Sequence, residues 1–140
     1  MRVVLDTNVL LPALPRSSNT HLIFTKLLEG AYELCVSSDI LLEYEEVFKR
    51  KANKEVAQLA MDVLEILPNL IKVQKFFYWH LITADHDDNK FVDCAIAGNA
   101  DFIVSDDAHF NILASISFPK VTVISSRNFL ELLPPAVRNW

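Results

Sequence analysis

Glycine is nearly missing from this chain of 140 residues, which has only Gly30 and Gly98. No glycine-rich loop is therefore available to cradle a phosphate. Cysteine is equally scarce. Cys35 and Cys94 stand alone in apolar surroundings, as buried free thiols of a reducing compartment do. Neither has a second cysteine or a histidine at zinc-ligand spacing, and His21, His80, His86 and His109 are scattered, so no zinc site is expected. No apolar run is long enough to span a bilayer, and the start, Met-Arg-Val-Val-Leu-Asp, turns acidic too soon for a signal peptide. A cytoplasmic protein that does not enter a membrane is expected. Positive charge is also short: 13 Lys and Arg against 18 Asp and Glu leave a net −5. That balance is unlike the basic footprint of a nucleic-acid binder. It leaves room for a protein that gathers acids in one place to hold a cation.

What is present is a core. Hydrophobic residues make up 51% of the chain, enough for one packed domain over 1–140, with no repeat and no linker. The organising stretch is Val3-Val4-Leu5-Asp6-Thr7-Asn8-Val9-Leu10. It opens as a β-branched and aliphatic run, the mark of a buried parallel strand. It then places a carboxylate, a hydroxyl and an amide in succession, where ligands bind in open α/β sheets, at a strand's carboxyl end. Alone, Asp6 or Asn8 reads equally well as a helix cap or turn residue.

Further along, Pro12, Pro15, Ser17 and Ser18 mark a loop. Asn19 or Thr20 caps a helix through Leu22, Ile23, Leu27 and Leu28 that stops at Gly30. Residues 32–36 read as a strand. Ser37 or Ser38 then caps a helix carrying Ile40, Leu41, Tyr44, Val47 and Phe48 and ending in Lys49-Arg50-Lys51. A second helical pattern covers 54–67 up to Pro68, and a short strand covers 70–73. The aromatic segment 76–82 reads as a loop packed on the body or as an extra strand. Asp88 or Asn89 caps a helix through Phe91, Cys94, Ala95 and Ala97. A strand over 101–105, a short helix over 109–113, a strand over 120–124 and a helix over 127–133 complete the pattern. Strands alternating with helices predict a parallel sheet covered on both faces.

This layout brings four carboxylates toward one edge. Asp6 and Asp106 follow strands, Glu43 lies in the first turns of the helix after the second strand, and Asp93 lies near the start of a later helix. Clustered carboxylates repel unless a cation sits among them. Oxygen-only ligands select Mg²⁺ or Mn²⁺, which lower the pKa of a bound water and polarise a phosphoryl oxygen. Those are the requirements of phosphodiester hydrolysis. Such an ion also lets an acidic protein accept a polyanion there.

Four blocks in order resemble the PIN-domain ribonucleases, in particular their bacterial toxin subgroup. They are Leu5-Asp6-Thr7-Asn8-Val9-Leu10, Ser38-Asp39-Ile40-Leu41-Leu42-Glu43-Tyr44, Asp85-His86-Asp87-Asp88-Asn89-Lys90-Phe91-Val92-Asp93, and Ala100-Asp101-Phe102-Ile103-Val104-Ser105-Asp106-Asp107. The resemblance implies a three-layer α/β/α fold with a five-stranded parallel sheet in the order 3-2-1-4-5. It implies that Asp6, Glu43, Asp93 and Asp106 are the metal-holding acids, with Thr7 or Asn8 as the small polar residue after the first. It further implies metal-dependent cleavage of single-stranded RNA, a homodimer and a cognate antitoxin. Many members carry proline where His86 stands and glycine or arginine near Asp106, so this chain departs from the pattern there.

Each residue also has a plainer reading. Glu43 reads as a solvated helix acid beside Glu45 and Glu46, and Asp93 as an acid favouring its helix dipole. Asp107 reads equally as a cap or an outer ligand, and Asp88 and Asn89 as a capped turn near the metal edge. The run 85–89 is not a calcium loop, because Lys90 and Ile96 stand where glycine and glutamate are needed. Lys90 is expected to pair with neighbouring acids. Phe76, Phe77, Tyr78 and Trp79 read as core or dimer packing, with base stacking as the other use. Two other function classes remain. One is a catalytically weak module of the same fold that binds RNA or an antitoxin. The other is a haloacid-dehalogenase-type phosphatase, which needs a second aspartate where this chain has Asn8.

Overall fold

The structure, a computed structural model, describes residues 1–135; residues 136–140 of the expected domain lie outside the described residues. Five strands form one sheet: β1 (Arg2–Leu5), β2 (Glu33–Val36), β3 (Leu70–Lys72), β4 (Phe102–Val104) and β5 (Val123–Ile124). Their order is β3-β2-β1-β4-β5 and every pairing is parallel. The register aligns Val3 with Leu34 and Phe102, and Leu5 with Val104. Successive residues of a strand face opposite sides of the sheet. Val3, Val4, Leu5, Leu34, Cys35, Val36, Ile103 and Val104 are nonetheless all buried. Both faces are therefore covered, which is why these strands read as unbroken apolar runs.

The cover is helical: α1 (Thr7–Ala13), α2 (His21–Leu28), α3 (Ser38–Lys51), α4 (Lys54–Ile66), α5 (Asn89–Ala97) and α6 (Ser126–Leu132), with 3₁₀ turns at His86–Asp88 and Ala108–Ser115. Among the described residues no helix is long and apolar enough to cross a membrane. α3 buries Ile40, Tyr44, Val47 and Phe48, which recur at helical spacing. Its last turn carries Lys49, Arg50 and Lys51, favourable at the negative end of the dipole.

The chain differs from expectation after β1, and it decides between the two alternatives for the aromatic segment. The stretch after β1, expected as a loop, is the helix α1, with Pro12 inside it. Pro12 costs one backbone bond near the end of a short helix. Burial of Val9, Leu10 and Ala13, and the Asp6 carboxylate accepting from the Asn8 N–H, compensate for it. The aromatic segment is not an extra strand. It belongs to an irregular strap, residues 73–85, between β3 and the first 3₁₀ turn.

The scarce glycines mark real constraints. Gly30 has φ +77°, in the left-handed region, just past α2. At Gly98, which ends α5, a Cβ would meet Cys35 Sγ at 3.0 Å and Cys94 O at 3.1 Å.

Candidate active site

Because the sheet is parallel, the residues leaving β1, β2 and β4 emerge along one edge. The Asp6 N–H extends the ladder to Val104 O at 3.0 Å, which fixes Asp6 there. Its Oδ1 accepts from the Asn8 N–H at 3.3 Å and its Oδ2 from the Ser105 hydroxyl at 2.7 Å. Ser105 Oγ in turn accepts from the Asp107 N–H at 3.1 Å. One hydroxyl thus spans from the end of β1 to the loop after β4.

Glu43 arrives from α3. The next residue, Tyr44, is fully buried and donates its hydroxyl to Leu5 O at 2.5 Å. That bond pins α3 against the end of β1, immediately before Asp6. The Thr7 hydroxyl donates to Glu43 Oε2, and Lys90 Nζ lies 2.8 Å from Glu43 Oε1. Lys90 also reaches Asp87 at 3.3 Å, which makes it the ion-paired lysine the sequence suggested.

The other acids of this edge come from the turn before α5 and the turn after β4. Asp88 Oδ2 lies 3.1 Å from His109 Nδ1, and the same nitrogen is 3.5 Å from Asp107 Oδ1. One ligand atom each from Asp85, Asp88 and His109 lie within 4.8 Å of one another. Burial pushes the Asp88 carboxyl up to about 6; the His109 hydrogen bond opposes this, and the charges of Asp85, Asp107 and Asp6 add to it. Burial also raises Asp6. The Ser105 and Asn8 hydrogen bonds offset it in part, while the charges of Glu43 and Asp107 reinforce it. Asp6 therefore sits in the fields of Glu43 and Asp107, and Asp88 in those of Asp6 and Asp107.

Asp93 and Asp106, which the sequence grouped with Asp6, take other partners. Asp93 is buried beneath the strap and accepts from the Trp79 N–H at 3.1 Å. Burial raises its carboxyl, and the charges that act on it are those of Lys75, His80 and Asp39. Asp106 lines a cleft of about 280 Å³ with Asp6, Asn8, Val9 and Asp107. Both its oxygens, however, are taken by Ser126, from the N–H at 2.8 Å and the hydroxyl at 2.7 Å, at the start of α6. Asn89 is structural: its side chain clamps Ile82, donating to the carbonyl and accepting from the N–H, both at 2.9 Å. Thr7 orients Glu43 rather than Asp6, and Asn8 acts on Asp6 through its backbone.

Ser105 and His109 were not among the residues picked out from the sequence. A hydroxyl one residue past a buried strand, beside an acid in the neighbouring strand's register, was the available signal for Ser105.

This chain belongs to the PIN-domain family, whose profile matches residues 2–109. No curated protein matches it. Solved structures share the fold at low identity. The structure of VapBC2 from Rickettsia felis, bound to a DNA fragment from their promoter, aligns with a TM-score of 0.62 and 21% identity over 89% of this chain and 98% of that one. VapBC-1 from nontypeable Haemophilus influenzae aligns with a TM-score of 0.62 and 14% identity over 91% of this chain and 99% of that one. The PIN domain endonuclease Utp24 aligns with a TM-score of 0.52 and 14% identity over 89% of this chain and 84% of that one.

Proposed function

We propose that this chain is a single-domain, divalent-metal-dependent endoribonuclease acting on single-stranded RNA, and the cytoplasmic toxin of a toxin–antitoxin pair. The observation that carries the nuclease reading is the gathering of Asp6, Glu43, Asp88 and Asp107 at the carboxyl edge of a PIN-fold sheet, with Asp6 raised by burial and by the charges of Glu43 and Asp107, and Asp88 by burial and by the charges of Asp85, Asp107 and Asp6. Carboxylates so placed favour a bound cation. The donor set fits one: every acid offers oxygen, and the side chains that offset them are Lys90, on Glu43, and His109, on Asp88. A Mg²⁺ or Mn²⁺ ion held there would supply Lewis acidity toward a phosphoryl oxygen and acidify a water.

The chain's own residues prepare that site. Ser105 and the Asn8 N–H fix both oxygens of Asp6, while Thr7 and Lys90 fix those of Glu43. Asp93 and Asp106 support it from outside, Asp93 by holding the strap and Asp106 by tying the β4 loop to α6. The cleft between Asp6, Asn8 and Asp107 is where a phosphodiester would enter.

The toxin reading draws on the VapBC fold relatives and on apolar side chains left open on α3 and α4. Leu42, Leu59 and Ile66 are exposed and of the kind a protein partner covers. An antitoxin and a second copy of the chain are the partners proposed.

Purified protein incubated with single-stranded RNA should cleave it in Mn²⁺ and not in EDTA. Asp6→Asn should abolish cleavage while leaving the fold intact. Metal-independent cleavage, or cleavage by the Asp6→Asn protein, overturns the reading.

A further inference from the structure

The strap carries four consecutive rings turned to solvent. Phe76 is 76% exposed, Phe77 74%, Tyr78 64% and Trp79 36%. Phe118, 82% exposed, meets Trp79 edge-on with ring centres 6.4 Å apart. Such exposure removes these rings from the core, one of the uses the sequence allowed. Contiguous exposed apolar surface on a globular chain marks a contact site.

The backbone beneath the rings is held in place. The Trp79 N–H is bonded to Asp93, Ile82 is clamped by Asn89, and Lys75 is paired with Asp39. Phe76, Phe77 and Trp79 line a cleft with Asp93, and Tyr78 turns toward the neighbourhood of the other acids. Tyr78 and His80 share a cleft of about 350 Å³ with Lys75, Lys90, His86 and Asp93, and Lys90 is the residue bonded to Glu43.

Charge indicates what such a surface would hold. Both lysines of that cleft already carry a carboxylate partner, and the chain as a whole is at −5. Phosphate attraction is therefore weak beside this site, and a polyanion held there needs another source of affinity. Ring faces provide one, because every base has a π-face and stacks on aromatics without regard to sequence. None of these rings is stacked parallel on another: Phe77 and Trp79 are tilted by 46°, Trp79 and Phe118 by 86°, and Lys75 Nζ lies over one face of Tyr78, 5.9 Å from its centre.

We propose that Phe76, Phe77, Tyr78 and Trp79 form a stacking track that holds unpaired bases of single-stranded RNA beside the acid site. The track rests on the nuclease reading for its substrate, and it supplies the affinity that the acidic surface does not.

The test uses the full chain with Trp140→Phe, which leaves Trp79 as the sole indole. An oligouridylate of about ten nucleotides, within the span of such sites, is titrated in EDTA so that nothing is cleaved. Saturable quenching of Trp79 is expected, and an abasic oligomer of equal length should not produce it. Phe76→Ala and Phe77→Ala should each weaken binding roughly five-fold or more, the low end of one base stack. Added KCl should change the affinity little, because few phosphates are neutralised. In Mn²⁺ the ring variants should raise KM and keep kcat, and a dinucleotide too short to reach the rings should be cleaved as by the parent.

Absent quenching, equal quenching by the abasic oligomer, or unchanged affinity in the ring variants overturns the track. So does a loss of self-association in those variants at unchanged RNA affinity, which would make the rings a contact between copies. Asp6→Asn separates the two readings, since it should lose cleavage and keep quenching. A parent protein that quenches and does not cleave contradicts the nuclease reading alone.

Discussion

The Ser105 hydroxyl donates to Asp6 Oδ2 at 2.7 Å and accepts from the Asp107 N–H at 3.1 Å, so one small side chain sets the position of two acids that follow neighbouring strands. Residues that orient metal-holding carboxylates typically cost about 10–100-fold in affinity or activity when removed. Ser105→Ala should lose that much Mn²⁺-dependent cleavage, and Ser105→Thr, which keeps the hydroxyl, should retain most of it. Equal loss in both variants would point to packing instead of the hydrogen bond. The check is kcat/KM on one RNA for the three proteins, with circular dichroism to confirm the fold.

Tyr44 serves stability first. Its hydroxyl satisfies Leu5 O at 2.5 Å in a fully buried position. Tyr44→Phe leaves that carbonyl without its buried donor, at a cost of about 1–3 kcal/mol. A urea melt should show a lower midpoint with an unchanged slope. An unshifted midpoint would mean that the bond contributes nothing net.

Asp39 gives the pH dependence a definite sign. Burial alone would raise its carboxyl. The hydrogen bonds from Lys75 and Ser37, the Lys75 charge and the Ile40 N–H outweigh that and hold it below the usual value of 3.8. A folded-state value below the unfolded one means a contribution that is present above the unfolded pKa and lost as pH falls through the folded one. The metal-free protein should therefore lose stability on acidification below about pH 4, and Asp39→Asn should flatten part of that limb. Unfolding midpoints at several acidic pH values, with and without the substitution, test it. Parallel curves for the two proteins would remove the Asp39–Lys75 pair from the account.

Much of this was readable from the chain because burial on both faces writes continuous apolar runs. β1, β2 and β4 announce themselves that way, and Asp6 and Glu43 follow because each is fixed to such an element or to the helix after it. The sheet order came from the resemblance, since apolar runs do not say which strands are neighbours. The choice between paired acids was harder. Asp88 and Asp93 are five residues apart on a helical path, roughly 140° around it. Which one meets the sheet edge depends on the 3₁₀ turn before α5 and on the strap that buries Asp93. Asp106 and Asp107 are adjacent, and what distinguishes them is Ser126, a partner of Asp106 20 residues away that no local pattern reveals. The strap has no period at all, so ring exposure in 76–79 has no signature in the sequence.

Under the proposed function, Asp107 and not its neighbour Asp106 joins Asp6, Glu43 and Asp88 in holding the metal. Thermal melts of the parent, Asp107→Asn and Asp106→Asn in EDTA and in Mn²⁺ test it most directly. Asparagine preserves the Asp107 cap on His109 N–H, so the substitution chiefly removes charge. In EDTA, Asp107→Asn should melt above the parent, because one of the charges that raise Asp6 and Asp88 is gone. Asp106→Asn should melt slightly below it, through weaker bonds to Ser126. Mn²⁺ at roughly a hundredfold excess over Kd should stabilise the parent by about 2.7 kcal/mol. It should stabilise Asp106→Asn equally and Asp107→Asn far less. The reverse pattern, with Asp106→Asn losing the Mn²⁺ response and Asp107→Asn keeping it, would contradict the assignment.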